Sequence, residues 1–454
     1  MSAVPLSPAT QRMLREPVLP TLLRLAAPNI IGLFATTVVI GFDGYIVGRL
    51  GADALAGVAL VLPLAMLMLQ MSAGGLGGTT TAAVARALGA GDAAQATRLA
   101  QHALLVGWVA SLLFAVLATR PALYQAMGAR GEVLTHAMGY ASVLFSGAAA
   151  IWTVNVLAGV ARGTGDMLAA SLALVGTTAL HLIACPVLVF GAGPIAPLGT
   201  AGAAASTVGC NAVMALALLA WLSRPGRPVR PLAQAWRLHK DAFRRILAVA
   251  LPSSLNPLIS NTSIALTTAY MGAFGSLAVA AYGIAARLEY ILVPIAFGVG
   301  AALTAMVATN MGAQQAARAK RIAWTGAALV LGVTGVIGLI AAAWPQAWMQ
   351  LFTAQAQIAD TGSAYLRIVG ACYGFFGLGL ALFFASQGAG RMSWPLAAST
   401  VRLTVVAVGG WLCVHVLAAP AEALYAVVAL SLAALGLTLS AATHLSDWGG
   451  RADS

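Results

Sequence analysis

The sequence predicts an all-α polytopic membrane protein, with twelve transmembrane helices in two six-helix lobes related by pseudo-two-fold symmetry. Three observations support this fold class. The 454-residue chain is 60% hydrophobic and only 8% charged, whereas soluble proteins carry about 25% charged residues. Apolar segments of roughly 20 residues or more, long enough to span a bilayer, recur from end to end. The two halves of the chain also resemble each other in sequence.

The individual helices are predicted from apolar runs separated by short connections that contain Gly, Pro or charged residues. They cover residues 21–48, 53–84, 99–118, 133–158, 167–190, 198–222, 245–272, 277–309, 321–342, 358–386, 393–417 and 421–444. The resulting domains are a cytoplasmic N-terminal segment (1–20), an N-lobe (21–222), a cytoplasmic basic linker (223–244), a C-lobe (245–445) and a cytoplasmic tail (446–454).

The distribution of basic residues sets the expected orientation. With the N-terminus in the cytoplasm, eighteen of the 24 Lys and Arg residues fall on the cytoplasmic side, three fall outside and three lie within helices. The positive-inside rule therefore places both termini in the cytoplasm, and we expect the protein in the cytoplasmic (inner) membrane. The net charge of +12 follows from this topology and does not indicate a nucleic-acid partner. The linker, with its basic residues and Trp236, is typical either of a segment on the inner leaflet or of a solvated connection.

An internal repeat relates the two lobes. A shift of 224 residues places Pro28 on Pro252 and Gly51 on Gly275, and it places GADALAGVAL on GSLAVAAYGI. Further along, ARGTGDM lies over SQGAGRM at a shift of 225. Both copies begin on the same side and cross six times, so the repeat is parallel, with its axis along the membrane normal. Repeats of this kind frame a central cavity in transporters.

Several of the repeated motifs together carry a family resemblance. They are GRLGADALAGV after the first helix, the basic loop ARALGAGDAAQATR, RGTGD before the fifth helix, and ASQGAGRMSWP in the second copy. In this order and spacing the chain resembles the multidrug and toxic compound extrusion (MATE) family over residues 20–445. The resemblance implies a twelve-helix exporter of organic, cationic compounds, driven by inward flow of H⁺ or Na⁺. We expect a monomer in the lipid bilayer, without a cofactor and without nucleic acid.

The resemblance also assigns coupling positions in the N-lobe. An acid on the first helix matches Asp43, and a threonine on the sixth helix matches Thr207. The Asn and Asp expected on the fifth helix are replaced by His181 and Cys185. In a second branch of the family an acid occupies the seventh helix, and here that position is Ser260, which puts a C-lobe ion site in doubt.

The first helix carries a polar stripe. Asn29, Thr36 and Asp43 are seven residues apart, so they point nearly the same way from an α-helix. Such a stripe is expected to face the lobe interior or the cavity. Asp43 is expected to carry a proton, because an ionisable group inside the membrane marks a functional site by default. The alternative is a structural carboxylate that is bonded to neighbouring hydroxyls or paired with Arg49.

His181 is expected either to share a proton with Asp43, since histidine titrates near neutral pH, or to replace an amide hydrogen bond. Cys185 offers sulfur, whereas hard cations prefer oxygen ligands, which favours protons over Na⁺. The polar residues assigned to the N-lobe cavity or substrate site are Asn29, Thr36, Asn155, Thr177, Cys185 and Thr207.

The C-lobe offers secondary candidates. Ser260 and Thr267 continue the equivalent stripe without an ionisable group. Arg287 and Glu289 are two residues apart, so each needs a partner on another helix, and Arg367 is a possible partner for Glu289. A structural salt bridge and a second proton or substrate site remain alternatives.

No catalytic constellation and no ATP-binding motif accompanies these residues, which predicts a transporter rather than an enzyme. The expected function is proton-coupled export of organic cations by alternating access. The alternatives are a Na⁺-coupled exporter of the same family, a lipid-linked oligosaccharide flippase of the wider superfamily, and a non-transport scaffold.

Overall fold

The computed structural model describes residues 7–232 and 235–448. Within these residues the chain is helical, and the only extended pairing is an isolated bridge between Ala192 and Ile195. The all-α membrane fold class predicted from composition is confirmed. Residues 1–6 of the predicted N-terminal segment, 233–234 of the linker and 449–454 of the tail lie outside the described residues.

Contacts between residues divide the chain into two compact units. The first contains the described residues up to Leu14 together with Ala27–Ser254. The second contains Arg15–Ala26 together with the described residues from Leu255 onwards.

Residues 7–232 contain ten α-helices, with a π-helical segment, Met71–Gly77, between the third and fourth. They are α1 (Pro8–Arg15), α2 (Val18–Gly48), α3 (Ala52–Gln70), α4 (Gly78–Gly89), α5 (Ala93–Ala118), α6 (Pro121–Ala126), α7 (Gly131–Ser146), α8 (Ala148–Gly163), α9 (Met167–Phe190) and α10 (Thr200–Leu222).

The described residues from 235 to 448 contain nine α-helices, with 3₁₀ segments at Ala286–Leu288 and Gly370–Cys372 and a π-helical segment at Leu412–Val416. They are α11 (Lys240–Gly272), α12 (Ser276–Ala285), α13 (Glu289–Gly312), α14 (Ala316–Ala343), α15 (Pro345–Met349), α16 (Ala356–Val369), α17 (Tyr373–Ala389), α18 (Ser393–Trp411) and α19 (Ala421–Leu445).

The observed helices coincide with the predicted spans. In the part of the chain that the structure describes, ten continuous or nearly continuous helical segments are long and apolar enough to cross a membrane, and α7 with α8, bent by 46°, adds an eleventh. The predicted seventh span corresponds to α11, which has 33 residues but carries Ser, Asn and Thr along its length. Its polar side chains lower its hydropathy without shortening it.

Backbone geometry at the turns follows the repeat. Gly51 and Gly275, which the sequence alignment superposes, have φ angles of 121° and 96°, and they precede α3 and α12 respectively. Gly165 and Gly390, superposed at the second motif, have φ angles of 84° and 73°. Glycine adopts positive φ without the steric cost that a Cβ imposes. The duplicated glycines therefore stand at turns that have similar backbone conformations in the two copies.

A third pair of turns differs between the copies, and it generates a prediction. With a one-residue gap in the repeat, ALGAGDAAQATR (87–98) lies over NMGAQQAARAKR (310–321), which places Gly91 on Gln314. Gly91 has φ of 79°, whereas Gln314 has φ of 60°. Because a side chain in the left-handed region costs about 1 kcal/mol, we expect Gln314→Gly to raise the melting temperature of the detergent-purified protein.

The adjacent Gln315 serves as the matched control, because it is also exposed but has φ of −98°. Gln315→Gly should leave stability unchanged or lower it, since glycine relieves no strain there and loosens the unfolded chain. An equal gain in both variants would show that relief of positive φ is not the cause.

Candidate functional site

The polar centre of the first unit is a contact between α2 and α9. The Asp43 Oδ1 atom lies 2.7 Å from His181 Nε2, a distance typical of a strong hydrogen bond to a charged or chargeable group. The thiol of Cys185, one turn further along α9, lies 3.7 Å from the same oxygen. The structure therefore brings together the acid of the first helix and both residues that replace the Asn and Asp expected on the fifth.

His181 also connects this pair to a third helix. Its Nδ1 atom lies 3.0 Å from the hydroxyl of Ser206 on α10, and the Ser206 hydroxyl in turn lies 3.9 Å from the Cys210 sulfur. Both imidazole nitrogens thus have polar partners. This arrangement fixes the ring orientation and links α2, α9 and α10 through one side chain.

The close approach of α2 and α9 is built into the sequence. Gly32 of α2 has no side chain where a Cβ would come within 2.9 Å of Ser171 Oγ, and the Ser171 hydroxyl bonds the Pro28 carbonyl. At the same end Asn29 Nδ2 lies 3.2 Å from Met167 Sδ. Small or polar residues at these positions let two membrane helices pack closely, which sets the register of Asp43 against His181.

The start of α9 is held by Asp166 of the RGTGD motif. Its carboxylate accepts a hydrogen bond from the Ala169 amide at 3.1 Å, which caps the helix. The other carboxylate oxygen accepts from Arg227 at 2.8 Å and from the Trp221 indole at 3.1 Å. Asp166 therefore ties the beginning of α9 to the end of α10 and the start of the linker.

The surroundings of the pair are apolar and largely closed. The His181 side chain is 2% exposed and that of Asp43 is 23% exposed. Tyr140 of α7, itself buried, lies close enough to Asp43 and Cys185 to interact with them electrostatically. A charge here is poorly hydrated, so its state of protonation bears directly on how well these helices pack.

The donor atoms of Asp43, His181 and Cys185 lie within 4.8 Å of one another. They provide one oxygen, one nitrogen and one sulfur atom, whereas a hard cation such as Na⁺ is held by several oxygen ligands.

The predicted stripe on α2 faces its own unit at both ends. Asn29 is 1% exposed, and its amide oxygen lies 3.4 Å from Arg162 Nε of α8. Asp43 meets α9, whereas the Thr36 hydroxyl between them donates to its own helix at the Leu33 carbonyl, 2.7 Å away. The stripe is thus a packing surface, with one titratable residue at its far end.

Two other residues assigned to the N-lobe cavity occupy different environments. Asn155 of α8 is buried and donates to Ser72 Oγ at 3.0 Å, which fastens α8 to the π-helical segment Met71–Gly77. Thr177 is half-buried on α9, one turn before His181. The structure places Thr177 near the pair and Asn155 in a helix contact away from it.

On α10 the structure places Ser206, rather than the expected Thr207, beside His181. The Thr207 hydroxyl donates to the Ala203 carbonyl of its own helix, 3.2 Å away. Adjacent residues on a helix point about 100° apart, so only one of the two hydroxyls can face α9. Hydroxyl residues stand at both positions in the sequence, and the family pattern selected Thr207. Tyr140 was missed because a lone tyrosine in an apolar helix has no distinguishing pattern.

Arg49 does not form the ion pair with Asp43 that the sequence left open. Its guanidinium lies 5.1 Å from the ring centre of Phe190. Among the salt bridges of the described residues, the partner of Asp43 is His181.

The second unit does not contain the Glu289–Arg367 salt bridge considered from the sequence. Within the described parts of the chain no such pair comes within 4.0 Å, and Arg367 is exposed on α16. Glu289 instead lies near Arg402 and Tyr373, and Arg287 stacks over Phe352 at 5.2 Å. The sequence supplied the charges but not the distances between their helices.

The remaining C-lobe candidates sit on α11. Ser260 is half-buried, and Thr267 is buried with its hydroxyl 2.9 Å from the Ser263 carbonyl of the same helix. The polar face of α11 is therefore present, but these hydroxyls form no titratable group comparable to Asp43.

Comparison with known proteins is consistent with the repeat. The MatE family model matches the chain twice, over residues 28–187 and 252–412. The two matches begin at Pro28 and Pro252, the same pair that the internal alignment superposes.

Among relatives, the chain is 26% identical to a FAD transporter of Shewanella oneidensis, with 82% of each chain covered. It is 24% identical to the multidrug export protein MepA of Staphylococcus aureus, with 83% of each covered.

Among solved structures, a MATE protein in its straight conformation superposes with a TM-score of 0.88 at 25% sequence identity. The superposition covers 97% of this chain and 98% of that one. Together with the two family matches, this shows that the chain belongs to the multidrug and toxic compound extrusion (MATE) family of efflux transporters.

Proposed function

We propose that this protein exports organic cations in exchange for protons, as a monomeric transporter in the inner membrane with both termini in the cytoplasm. The observation that carries the proposal is the contact of Asp43 with His181, continued by the contact of His181 with Ser206. It supplies one buried, exchangeable proton at the point where three helices of one unit meet.

The hydrogen bonds of this group suit a change of protonation. With Asp43 ionised, His181 Nε2–H donates to the carboxylate and Nδ1 accepts from the Ser206 hydroxyl. With Asp43 protonated, the acid donates to Nε2, and Nδ1–H then donates to the Ser206 oxygen. A hydroxyl both donates and accepts, so Asp43 Oδ1 and both imidazole nitrogens keep a partner in both states while the charge on α2 disappears.

Loss of that charge connects proton binding to transport. A buried carboxylate is stabilised by its partner and destabilised by poor hydration, so neutralising it alters the preference of α2 for its present packing against α9. The negative charge is also the group that attracts a cationic substrate. Proton entry therefore weakens cation binding, and release of the proton on the cytoplasmic side restores the carboxylate for the next cation.

Protons are favoured over Na⁺ by the ligand chemistry. The position where a carboxylate is expected on the fifth helix is Cys185, and the amide position is His181. A sodium site built from Asp43 alone would lack the several oxygen atoms that a hard cation requires.

The first test is Asp43→Asn in proteoliposomes that carry a fluorescent organic cation and an imposed pH gradient. We expect pH-driven efflux to fall to the level of empty vesicles, because asparagine neither binds nor releases the proton. Efflux in the wild-type protein should also collapse when a protonophore is added. Asp53→Asn is the matched control, since Asp53 is an exposed acid in the first turn of α3 and should retain efflux.

Full pH-driven efflux by the Asp43→Asn variant would overturn the coupling mechanism. Efflux by the wild-type protein that follows a Na⁺ gradient and ignores the protonophore would instead identify sodium as the coupling ion.

A second test separates Ser206 from Thr207. Removing the Ser206 hydroxyl leaves His181 Nδ1 without its partner at a cost of about 1 kcal/mol, or roughly five-fold in transport rate. We expect Ser206→Ala to slow proton-driven efflux to that extent and to change its pH profile, and Thr207→Ala to leave the profile unaltered. The reverse result would favour the assignment made from the family pattern.

The similarity to a FAD transporter favours a second substrate class, the flavin nucleotides. Exposed Arg287 and Arg367 would supply positive charge for the phosphates. Efflux from the same vesicles, loaded with FAD, distinguishes flavin nucleotides from organic cations as the substrate class. Export of FAD without export of the organic cation would replace the proposed substrate while leaving the role of Asp43 to be tested separately.

A further inference from the structure

The linker that follows α10 is fastened along α5. Gln101 Nε2 of α5 donates to the Pro231 carbonyl at 2.8 Å. The Trp108 and Trp236 rings stack with centroids 5.7 Å apart and planes 7° apart. These two contacts place the linker against the membrane-spanning helix, rather than leaving it as a solvated connection.

A third contact involves two histidines. The backbone amide of His239 donates to His102 Nε2 at 2.9 Å, and His102 Nδ1 lies 2.7 Å from the Arg98 carbonyl. His102 is therefore neutral, with one nitrogen accepting and the other donating. It is a buried structural residue that positions His239 and the neighbouring Arg237.

Between α5 and this part of the linker lies a cavity of about 350 Å³, lined by Arg98, Ala235, Arg237 and His239. The lining contains two guanidinium groups and an imidazole, and no carboxylate. Within residues 7–232 and 235–448, no acidic side chain lies within 4.0 Å of either guanidinium. The nearest acid along α5, Asp92, is occupied in capping that helix through the Gln95 amide.

A concave site with two arginines that have no acidic partner is suited to a phosphate group, because the guanidinium fork binds phosphate oxygens in pairs. His239 donates its Nδ1–H to the Arg237 carbonyl at 2.8 Å, which holds its ring beside the Arg237 backbone. The chemistry of the cavity is therefore that of an anion carrying a phosphate.

Two further residues indicate where this phosphate comes from. Trp236 and Leu238 flank Arg237 and are 39% and 76% exposed. Trp236 stacks at the level of Trp108, about 15 Å along α5 from Arg98. An arginine at the headgroup level, with apolar side chains at the depth of the acyl chains, is the arrangement that contacts both parts of a lipid.

We propose that this cavity binds the phosphate headgroup of an anionic phospholipid in the cytoplasmic leaflet, with Trp236 and Leu238 against its acyl chains. The lipid would hold the linker on α5, and α5 packs against α8 of the same unit. The inference concerns a site separate from Asp43 and does not depend on which ion or substrate is transported.

The test measures melting of the purified full-length protein in zwitterionic detergent, with short-chain phosphatidylglycerol, short-chain phosphatidylcholine or inorganic phosphate added. We expect phosphatidylglycerol to raise the melting temperature saturably, and the other two additives to have little effect. Arg98→Gln and Arg237→Gln should each weaken the apparent affinity for phosphatidylglycerol roughly five-fold. Arg244→Gln is the matched control, since Arg244 is basic, exposed and outside the cavity lining.

Further variants distinguish a loss of lipid binding at this site from a general loss of folding. Arg98→Lys and Arg237→Lys keep the charge, and they should retain most of the affinity even where the Gln variants melt early without lipid. Trp236→Ala should weaken the response to phosphatidylglycerol through lost acyl contact. Unchanged affinity in both Gln variants would overturn the site, and so would an equal loss in Arg244→Gln. Saturation by inorganic phosphate at comparable concentration would overturn the lipid as its ligand.

Discussion

A carboxylate within an apolar helix has to find its hydrogen-bond partners on neighbouring helices, and Asp43 finds them on α9. The 2.7 Å contact with His181 depends on the register of α2 against α9. That register depends in turn on Gly32, on Ser171 and on the cap that Asp166 provides. The polar contacts and the helix packing of the unit therefore depend on each other, because a shift of either helix would leave a buried polar group without a partner.

Much of the fold could be predicted because the sequence patterns that indicate it extend over many residues. An apolar run of 20 residues is unambiguous, and the repeat aligned turns that share positive φ at Gly51 and Gly275. The breaks within spans could not be predicted. The π-helical segment Met71–Gly77 and the 46° bend between α7 and α8 are changes of backbone hydrogen bonding in segments whose composition stays apolar. Hydropathy measures side chains and is insensitive to such changes.

The site was predictable to the extent that polar residues are scarce in a membrane. With few ionisable groups on the helices of the first unit, Asp43 and His181 stood out. The scarcity of polar residues does not indicate which way each side chain points, however. It did not separate Ser206 from Thr207, which differ by about 100° around α10. It also suggested Arg367 beside Glu289, where the structure has Arg402 and Tyr373. Choosing among neighbours requires the rotation and spacing of helices.

If export is driven by one proton shared by Asp43 and His181, as we propose, that stoichiometry also limits how much work the transporter can perform. A group that exchanges one proton per turn gains at most about 1.4 kcal/mol for each unit of pH difference. This supports roughly a ten-fold concentration ratio. If the cargo carries a single positive charge, the exchange moves no net charge, and the membrane voltage contributes nothing. Such a pump would keep toxic compounds dilute rather than clear them entirely. The concentration ratio that it sustains would depend on the external pH.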